Sequence, residues 1–132
     1  MAAVPEDHPL AKEKRLSLRQ LEPWPFILTS RRNAPVFNDW LTGLCRAAGF
    51  VPQVAKEVDR APTVLNYVAA GFGLSVFPAQ IARLPAPGVA FIPLAASVPR
   101  YRYGMAWKGE KKQEPAGRLI ALAGDVAKAL RK

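Results

Sequence analysis

The sequence has little of the two side chains that most often bind transition metals. Its 132 residues include one cysteine, Cys45, and one histidine, His8. One thiol cannot form an internal disulfide, and one cysteine with one histidine cannot supply the four ligands of a structural zinc site. We therefore expect no metal. The absence of a disulfide favours a reducing, cytoplasmic location.

Long apolar runs are also absent. No stretch of the sequence reaches the roughly 20 apolar residues that a membrane-spanning helix needs. The first eight residues lack the basic start and the apolar stretch that are typical of a secretory signal peptide. We therefore expect no association with a membrane.

Acidic residues are scarce relative to basic ones. Ten Asp and Glu residues oppose 19 Lys and Arg residues, which gives a formal net charge of +9. Such an excess suits anionic partners, such as nucleic acid, an acidic membrane surface or a carboxylate ligand. A solvated basic surface is the alternative explanation, because the basic residues are scattered along the chain.

Few residues are available for catalysis. The close carboxylate pairs fall at residues 6–7 and 57–59, and a polar surface explains both. Cys45 lies on the apolar stripe of a predicted helix and is expected in the core, whereas His8 lies in a polar stretch and is expected at the surface. A cysteine–histidine nucleophilic pair has no supporting signature. The protein is therefore not expected to be an enzyme.

The segment Gly71-Phe72-Gly73 is similar to the start of a dinucleotide-binding fingerprint. That fingerprint joins a strand to a following helix, whereas this segment follows a predicted helix and precedes a predicted strand. The glycines are better explained as a helix cap and a tight turn. No cofactor is therefore expected.

Short apolar strands alternate with amphipathic helices along the chain. Strands or extended segments are predicted at residues 2–4, 26–28, 51–59, 74–77, 89–92 and 101–107. Helices are predicted at residues 35–48, from residue 63 to the glycines at 71 and 73, at 78–84 and at 115–130. Residues 6–22 are expected to form a connector with a turn or two of helix. This order predicts an α/β fold with a mostly parallel sheet flanked by helices.

Two polar loops each join a predicted strand to a predicted helix. They are residues 29–33 (TSRRN) and residues 59–63 (DRAPT). In open α/β sheets, ligands bind beyond the carboxyl ends of the strands, where helix N-termini offer N–H groups and partial positive charge. Hydroxyls and arginines in the first loop add donors that suit a carboxylate. Alternatively, Ser30, Asn33 and Thr63 only cap the helices and the arginines are solvated.

Several segments, in this order, resemble those of LysR-type transcriptional regulators. Residues 8–11 (HPLA) are similar to the family's exit from its first effector lobe, and residues 16–21 and 25–28 (LSLRQL, PFIL) to the start of its second lobe. Residues 44–50 (LCRAAGF) are similar to a family helix that ends in Gly-Phe. Residues 68–78 (VAAGFGLSVFP) carry the most specific resemblance. The chain therefore resembles the C-terminal effector-binding domain of this family, mainly its second lobe.

The resemblance implies a fold like that of type 2 periplasmic binding proteins, with two α/β lobes enclosing a small-molecule cleft, here truncated. Residues 1–20 would be a connector with a remnant of the first lobe, and residues 21–98 the effector-binding second lobe. Residues 99–132 would be the return strand and C-terminal helix of the first lobe. The sequence lacks the family's winged helix-turn-helix, so we expect no specific DNA binding by this chain; the parent protein would bind DNA through that N-terminal domain.

The resemblance also implies a ligand site. Matching positions place Thr29, Ser30 and Arg31 in the first loop and Ala61, Pro62 and Thr63 at the start of the second helix, with Phe72 in an apolar wall. The expected ligand is a small organic acid or an aromatic effector. A homo-oligomer is also expected, with residues 2–4, residues 101–107 or the helix at residues 35–48 at the contact.

Two alternatives belong to other functional classes. A fragment of a solute-binding protein would have a similar fold, and an export signal upstream in the gene would support it. A basic nucleic-acid-binding module would need basic and aromatic side chains on one surface. Phe37, Trp40 and Phe77 fall instead on apolar, core-like positions, which disfavours that module.

Overall fold

The computed structural model describes residues 1–102, 104, 106 and 116–129. The chain divides into two compact units, residues 1–101 and residues 102–132. The strands are β1 (Ala2–Pro5), β2 (Phe26–Thr29), β3 (Val54–Val58), β4 (Ser75–Val76) and β5 (Val89–Ile92). The α-helices are α1 (Pro35–Ala47), α2 (Ala61–Ala69) and α3 (Ala116–Ala129). Short 3₁₀ helices span Pro9–Lys12, Leu18–Leu21 and Ala79–Arg83.

The strands of the first unit form two small sheets, β2–β3 and β4–β1–β5. Strands β2 and β3 are parallel, and β1 is antiparallel to both β4 and β5. The two sheets meet where Phe26 forms a parallel bridge with Leu74. There the Leu74 N–H donates to the Pro25 carbonyl over 2.9 Å. The predicted α/β class is confirmed, but the prediction of a mostly parallel sheet is wrong, because β1 runs against both of its neighbours.

Strand β1 is the central strand of the three-stranded sheet, between β4 and β5. All four of its residues are buried. The first 20 residues, expected to include a remnant of the first lobe, therefore pack in the same unit as the rest of residues 1–101. Strand β1 is paired with β5 along its whole length and with β4 at Ala2 and Ala3.

Alternate side chains of the sheet face two different layers, because successive residues of a strand point to opposite sides. One face packs against α1 and the 3₁₀ helix Leu18–Leu21. Its buried residues include Val4, Phe26, Leu28, Leu41, Cys45, Leu74 and Ile92. The other face packs against α2, and its buried residues are Ala3, Ile27, Val64, Leu65, Val68 and Phe77.

Helix α1 ends close to the predicted position, and Gly49 follows it with a φ of 91°. The Phe50 N–H donates to the Cys45 carbonyl over 3.0 Å, which completes the expected glycine cap. The buried residues of this helix are Asn38, Leu41 and Cys45, which lie on one face. Val36, predicted to belong to the apolar stripe, is 68% exposed.

Helix α2 begins at Ala61, two residues before the predicted start at Thr63. Pro62 therefore lies in the first turn, where a proline is tolerated because its missing N–H has no intrahelical partner. The predicted connector at residues 6–22 contains two of the 3₁₀ helices, and the third falls within the predicted helix at residues 78–84.

The second unit is described over helix α3, which lies within the predicted helix at residues 115–130. Leu119, Leu122 and Val126 recur at helical spacing and form one apolar face of this helix. The predicted loop at residues 108–114 lies outside the described residues, as do residues 103, 105 and 107 of the predicted strand at residues 101–107; residues 101, 102, 104 and 106 are described and do not lie in a strand. In the ranges that are described, no helix is long and apolar enough to cross a membrane.

Candidate functional site

The two polar loops meet at one edge of the sheet, as their positions after parallel strands predict. Thr29 ends β2 and pairs with Val58, which ends β3. Immediately beyond this pair, the Ser30 N–H donates to the Val58 carbonyl over 2.7 Å. The carboxyl ends of β2 and β3 therefore deliver residues 29–33 and 59–63 to the same place.

Asp59 connects the two loops through side-chain hydrogen bonds. The Ser30 hydroxyl donates to Asp59 Oδ1 over 3.2 Å, and Asn33 Nδ2 donates to the same oxygen over 3.2 Å. Asn33 Nδ2 also lies 3.1 Å from the backbone carbonyl oxygen of Asp59. All of these groups lie at the exposed edge, so a dissolved ligand can reach them.

The side chains of Ser30, Asn33 and Thr63 do not cap the helices, which was one possible role for them. The residue at the N-cap position is Ala34 in α1 and Arg60 in α2, and neither side chain makes a capping hydrogen bond. Ser30 and Asn33 are instead engaged with Asp59, and Thr63 lies inside the first turn of α2.

Helix α2 presents its N-terminus to this edge. The N–H groups of Ala61 and Thr63 lie in the first turn and have no partner within the helix, while Pro62 has no N–H. The first such bond runs from the Val64 N–H to the Arg60 carbonyl over 3.1 Å. This end of the helix carries partial positive charge, which favours an anion.

Arg31 of the first loop is paired with Asp39 of helix α1. Its guanidinium lies 2.6 Å from a carboxylate oxygen of Asp39, and the two side chains are 69% and 56% exposed. An exposed pair of this kind is weak, because water screens the charges. Arg31 therefore belongs to the first loop, but its side chain is directed toward α1 in this structure.

Asn38 is a residue of the site's framework that the sequence interpretation missed. Its side-chain amide donates to the carbonyl oxygens of Thr29 and Ala34, both over 2.9 Å. These bonds fix the start of α1 to the end of β2. A signal was available, because Asn38 falls on the same helical line as Leu41 and Cys45 and so is a polar residue at a core position.

Phe72 is not brought to the other candidate residues. It follows the C-terminal end of α2, whereas Ala61, Pro62 and Thr63 form the opposite end of that nine-residue helix. Its ring is 61% exposed and contacts Tyr67 edge-on, with the centroids 5.6 Å apart. Leu74, two residues after Phe72, forms a bridge with Phe26 at the beginning of β2. Phe72 therefore lies toward the opposite edge of the sheet.

The pattern of strands, helices and loops corresponds to a known family. The family model of the LysR substrate binding domain matches residues 1–127. The chain belongs to the LysR substrate-binding domain family. This confirms the resemblance seen in the sequence, and it confirms that the chain is a domain of a transcriptional regulator and not an enzyme.

Individual members of the LysR family show how much of a regulator the chain represents. The HTH-type transcriptional regulator TtuA of Agrobacterium vitis is 39% identical over 92 residues, which are 70% of this chain and 30% of TtuA. The HTH-type transcriptional regulator YnfL of Escherichia coli K12 is 30% identical over 118 residues, which are 89% of this chain and 40% of YnfL. The chain thus spans less than half the length of these relatives.

Solved structures agree with this assignment. The effector binding domain of BenM, solved with its effector benzoate, is 27% identical and superposes with a TM-score of 0.67. The match covers 74% of this chain and 45% of the BenM domain. Because the matched proteins are regulators, the comparison favours a LysR-type domain over a fragment of a solute-binding protein.

One surface cavity of this LysR domain lies away from the loop edge, which is the surface formed by residues 29–33 and 59–63, and a second cavity reaches that edge. The larger, about 330 Å³, is at the C-terminal half of α1 and includes Leu18, Leu44 and Val98. The smaller, about 190 Å³, runs beside α2 between Leu65 and Pro85 and reaches Pro62.

In the part of the chain that the structure describes, two side chains have shifted pKa values, and neither lies at the loop edge. Burial raises the pKa of the Cys45 thiol to about 11, which fits its expected place in the core. Burial lowers the pKa of His8, while nearby Asp7 opposes the shift. His8 is half-buried against Trp24 and so is not the surface residue that the sequence suggested. The described residues contain no cluster of His, Cys, Asp and Glu that could hold a metal ion.

Proposed function

We propose that the chain is the effector-sensing part of a LysR-type regulator and that the loop edge binds a small organic anion or an aromatic acid. The observation that carries this proposal is the meeting of two polar loops at the carboxyl ends of β2 and β3, beside the N-terminus of α2. This combination places hydroxyls, backbone N–H groups and partial positive charge on one exposed surface.

The donors at this edge suit a carboxylate. The N–H groups of Ala61 and Thr63 and the hydroxyls of Ser30 and Thr63 would donate to its two oxygens, with Thr29 at the floor. Arg31 would contribute by exchanging its exposed partner Asp39 for the ligand, an exchange that costs little because the pair is solvated. Phe72 is left out of this site because of its position beyond the far end of α2.

The ligand class is supported by the BenM domain, which was solved with its effector benzoate and is 27% identical to this chain. In the parent regulator we propose that the first lobe closes over the loop edge and that effector binding alters DNA binding by an N-terminal domain. Such a regulator acts in the cytoplasm, where its DNA lies. The domain by itself would bind effectors weakly, since half of the cleft surface is contributed by the other lobe.

Isothermal titration calorimetry with benzoate tests the proposed site through matched serine and threonine variants. Ser30→Ala and Thr63→Val remove hydroxyls at the edge and are expected to weaken binding roughly two- to tenfold each, the effect of one hydrogen bond. Ser97→Ala removes a hydroxyl at the larger cavity and serves as the control. Weaker binding in Ser97→Ala, with Ser30→Ala and Thr63→Val unchanged, would move the ligand to that cavity and contradict the proposal.

A further inference from the structure

We propose that Asp59 is a built-in competitor of the effector: its carboxylate occupies the Ser30 hydroxyl, one of the donors that the effector's carboxylate would use. This inference rests on the proposed function of the loop edge and adds a regulatory residue to it. A carboxylate of the chain already lies among hydroxyl and amide donors there. A ligand of the same chemistry must displace it in order to bind.

The geometry around Asp59 is that of a bound anion. The Ser30 hydroxyl and the Asn33 side-chain amide converge on one oxygen, Oδ1, each over 3.2 Å. Donors that come from different positions of one loop and meet on a single carboxylate oxygen form a typical carboxylate-binding arrangement. Both bonds are exposed to solvent, so exchange of Asp59 for a dissolved carboxylate needs no opening of the core.

The loops do not need the Asp59 side chain to stay together. The Ser30 N–H donates to the Val58 carbonyl over 2.7 Å, directly next to the paired residues of β2 and β3. The first loop is closed by the N–H groups of Asn33 and Ala34, which both donate to the Ser30 carbonyl over 3.0 Å. Asn33 Nδ2 also reaches the backbone oxygen of residue 59, a contact that survives replacement of the side chain.

Competition by Asp59 should affect anionic ligands more than neutral ones. Asp59 adds negative charge beside the site as well as occupying its donors, and both effects oppose an anion. A neutral ligand of the same shape experiences neither the repulsion nor the same need for the occupied donors. Removal of the Asp59 carboxylate should therefore favour benzoate much more than benzamide.

Three variants distinguish competition between Asp59 and the effector from a purely structural role of Asp59 in joining the two loops. Asp59→Ala removes the competitor, and Asp59→Asn keeps an acceptor oxygen for Ser30 and Asn33 without the charge. Each hydrogen bond affects an equilibrium by roughly two- to tenfold, so Asp59→Ala is expected to tighten benzoate binding by at least that factor. Asp59→Asn should fall between the native chain and Asp59→Ala, and benzamide binding should change less than twofold in both, within the range of one weak bond.

The double variant Ser30→Ala/Asp59→Ala should lose part of the gain, because one of the released donors is missing. Calorimetry supplies the affinities, and the Asn33 side-chain amide resonances report whether benzoate reaches the released donors. If native protein binds benzoate at the loops but Asp59→Ala binds it no better, or more weakly, Asp59 is only a connection and the inference is wrong. If neither native protein nor Asp59→Ala binds benzoate at the loops, the proposed function fails, and this inference fails with it.

Discussion

Gly73 lies directly against the backbone carbonyl of Pro25, with no room between them for a side chain. A Cβ atom on residue 73 would overlap the Pro25 carbonyl oxygen, which belongs to rigid backbone. The same carbonyl accepts the hydrogen bond from the Leu74 N–H over 2.9 Å. This close approach allows Leu74, the residue before β4, to bridge Phe26 of β2 and so connect the two sheets.

Gly73→Ala is therefore expected to destabilise the domain by about 1–3 kcal/mol, the usual cost of forcing extra atoms into a packed site. Urea unfolding followed by circular dichroism measures the free energy of unfolding. Gly43→Ala is the matched control, because residue 43 is an exposed position in α1 with nothing within 4 Å of the added carbon. Alanine there should be stabilising by about 0.5–1 kcal/mol. Equal effects at the two positions would show that the β2–β4 contact is not as close as described.

Acid is expected to weaken the fold through His8. The His8 Nδ1 atom accepts a hydrogen bond from the Leu10 N–H over 3.1 Å, so the neutral ring is the form that fits. Because burial lowers the pKa of His8 in the folded chain, the unfolded chain binds the proton first as pH falls below about 6.5. The contribution of His8 to stability is therefore present above that pH and is lost as the pH falls through the folded-state pKa.

His8→Asn isolates this effect, since asparagine offers an oxygen as acceptor near the place of Nδ1 and does not titrate. The free energy of unfolding, measured with urea between pH 7.5 and pH 5, should decrease more steeply for the native chain than for His8→Asn. Carboxylates are common to both proteins and cancel in the difference. Parallel pH profiles would mean that His8 is protonated as easily in the folded chain as in the unfolded one.

The outward side of α1 is expected to take part in self-association. Val36 is 68% exposed, whereas Trp40 is half-buried and stacks edge-on with Tyr101 at 5.2 Å between centroids. Val36→Glu should therefore reduce dimer content without loss of fold, since an acidic residue in the first turn of a helix is favourable. Trp40→Glu should instead lower stability, because it breaks the aromatic cluster with Phe37 and Tyr101.

Size-exclusion chromatography with light scattering measures both outcomes, with thermal unfolding as the check on folding. A native chain that stays a monodisperse monomer at high concentration would contradict self-association altogether. A dimer that is unchanged in Val36→Glu would place the contact elsewhere on the chain.

Local patterns predicted most of the elements. The four-residue spacing of Phe37, Leu41 and Cys45 gave α1, and Gly49 marked its end. The position of the two loops after β2 and β3 followed from strand–helix order alone, because the carboxyl ends of neighbouring parallel strands meet at one edge. These features depend on residues close together in the sequence.

Features that depend on distant residues were not predicted. Strand β1 has only four residues and pairs with strands more than 70 positions away, so nothing local indicates its central place or its antiparallel direction. The bonds from Ser30 and Asn33 to Asp59 join exposed loops, where polar residues have no periodicity to interpret. Phe72 was proposed from a family motif alone, and its place relative to the loops required knowledge of which end of α2 meets them.

An NMR titration of the isotope-labelled chain with benzoate will show whether the effector binds at the loop edge. Saturable shifts are predicted for the backbone amides of residues 29–33, 59–61 and 63, with those of residues 71–73, 97 and 98 unmoved. Two results would contradict the assignment of the effector site to the loop edge. One is a cluster of shifts at residues 17–19, 97 and 98, around the larger cavity; the other is the absence of any saturable shift at the two loops.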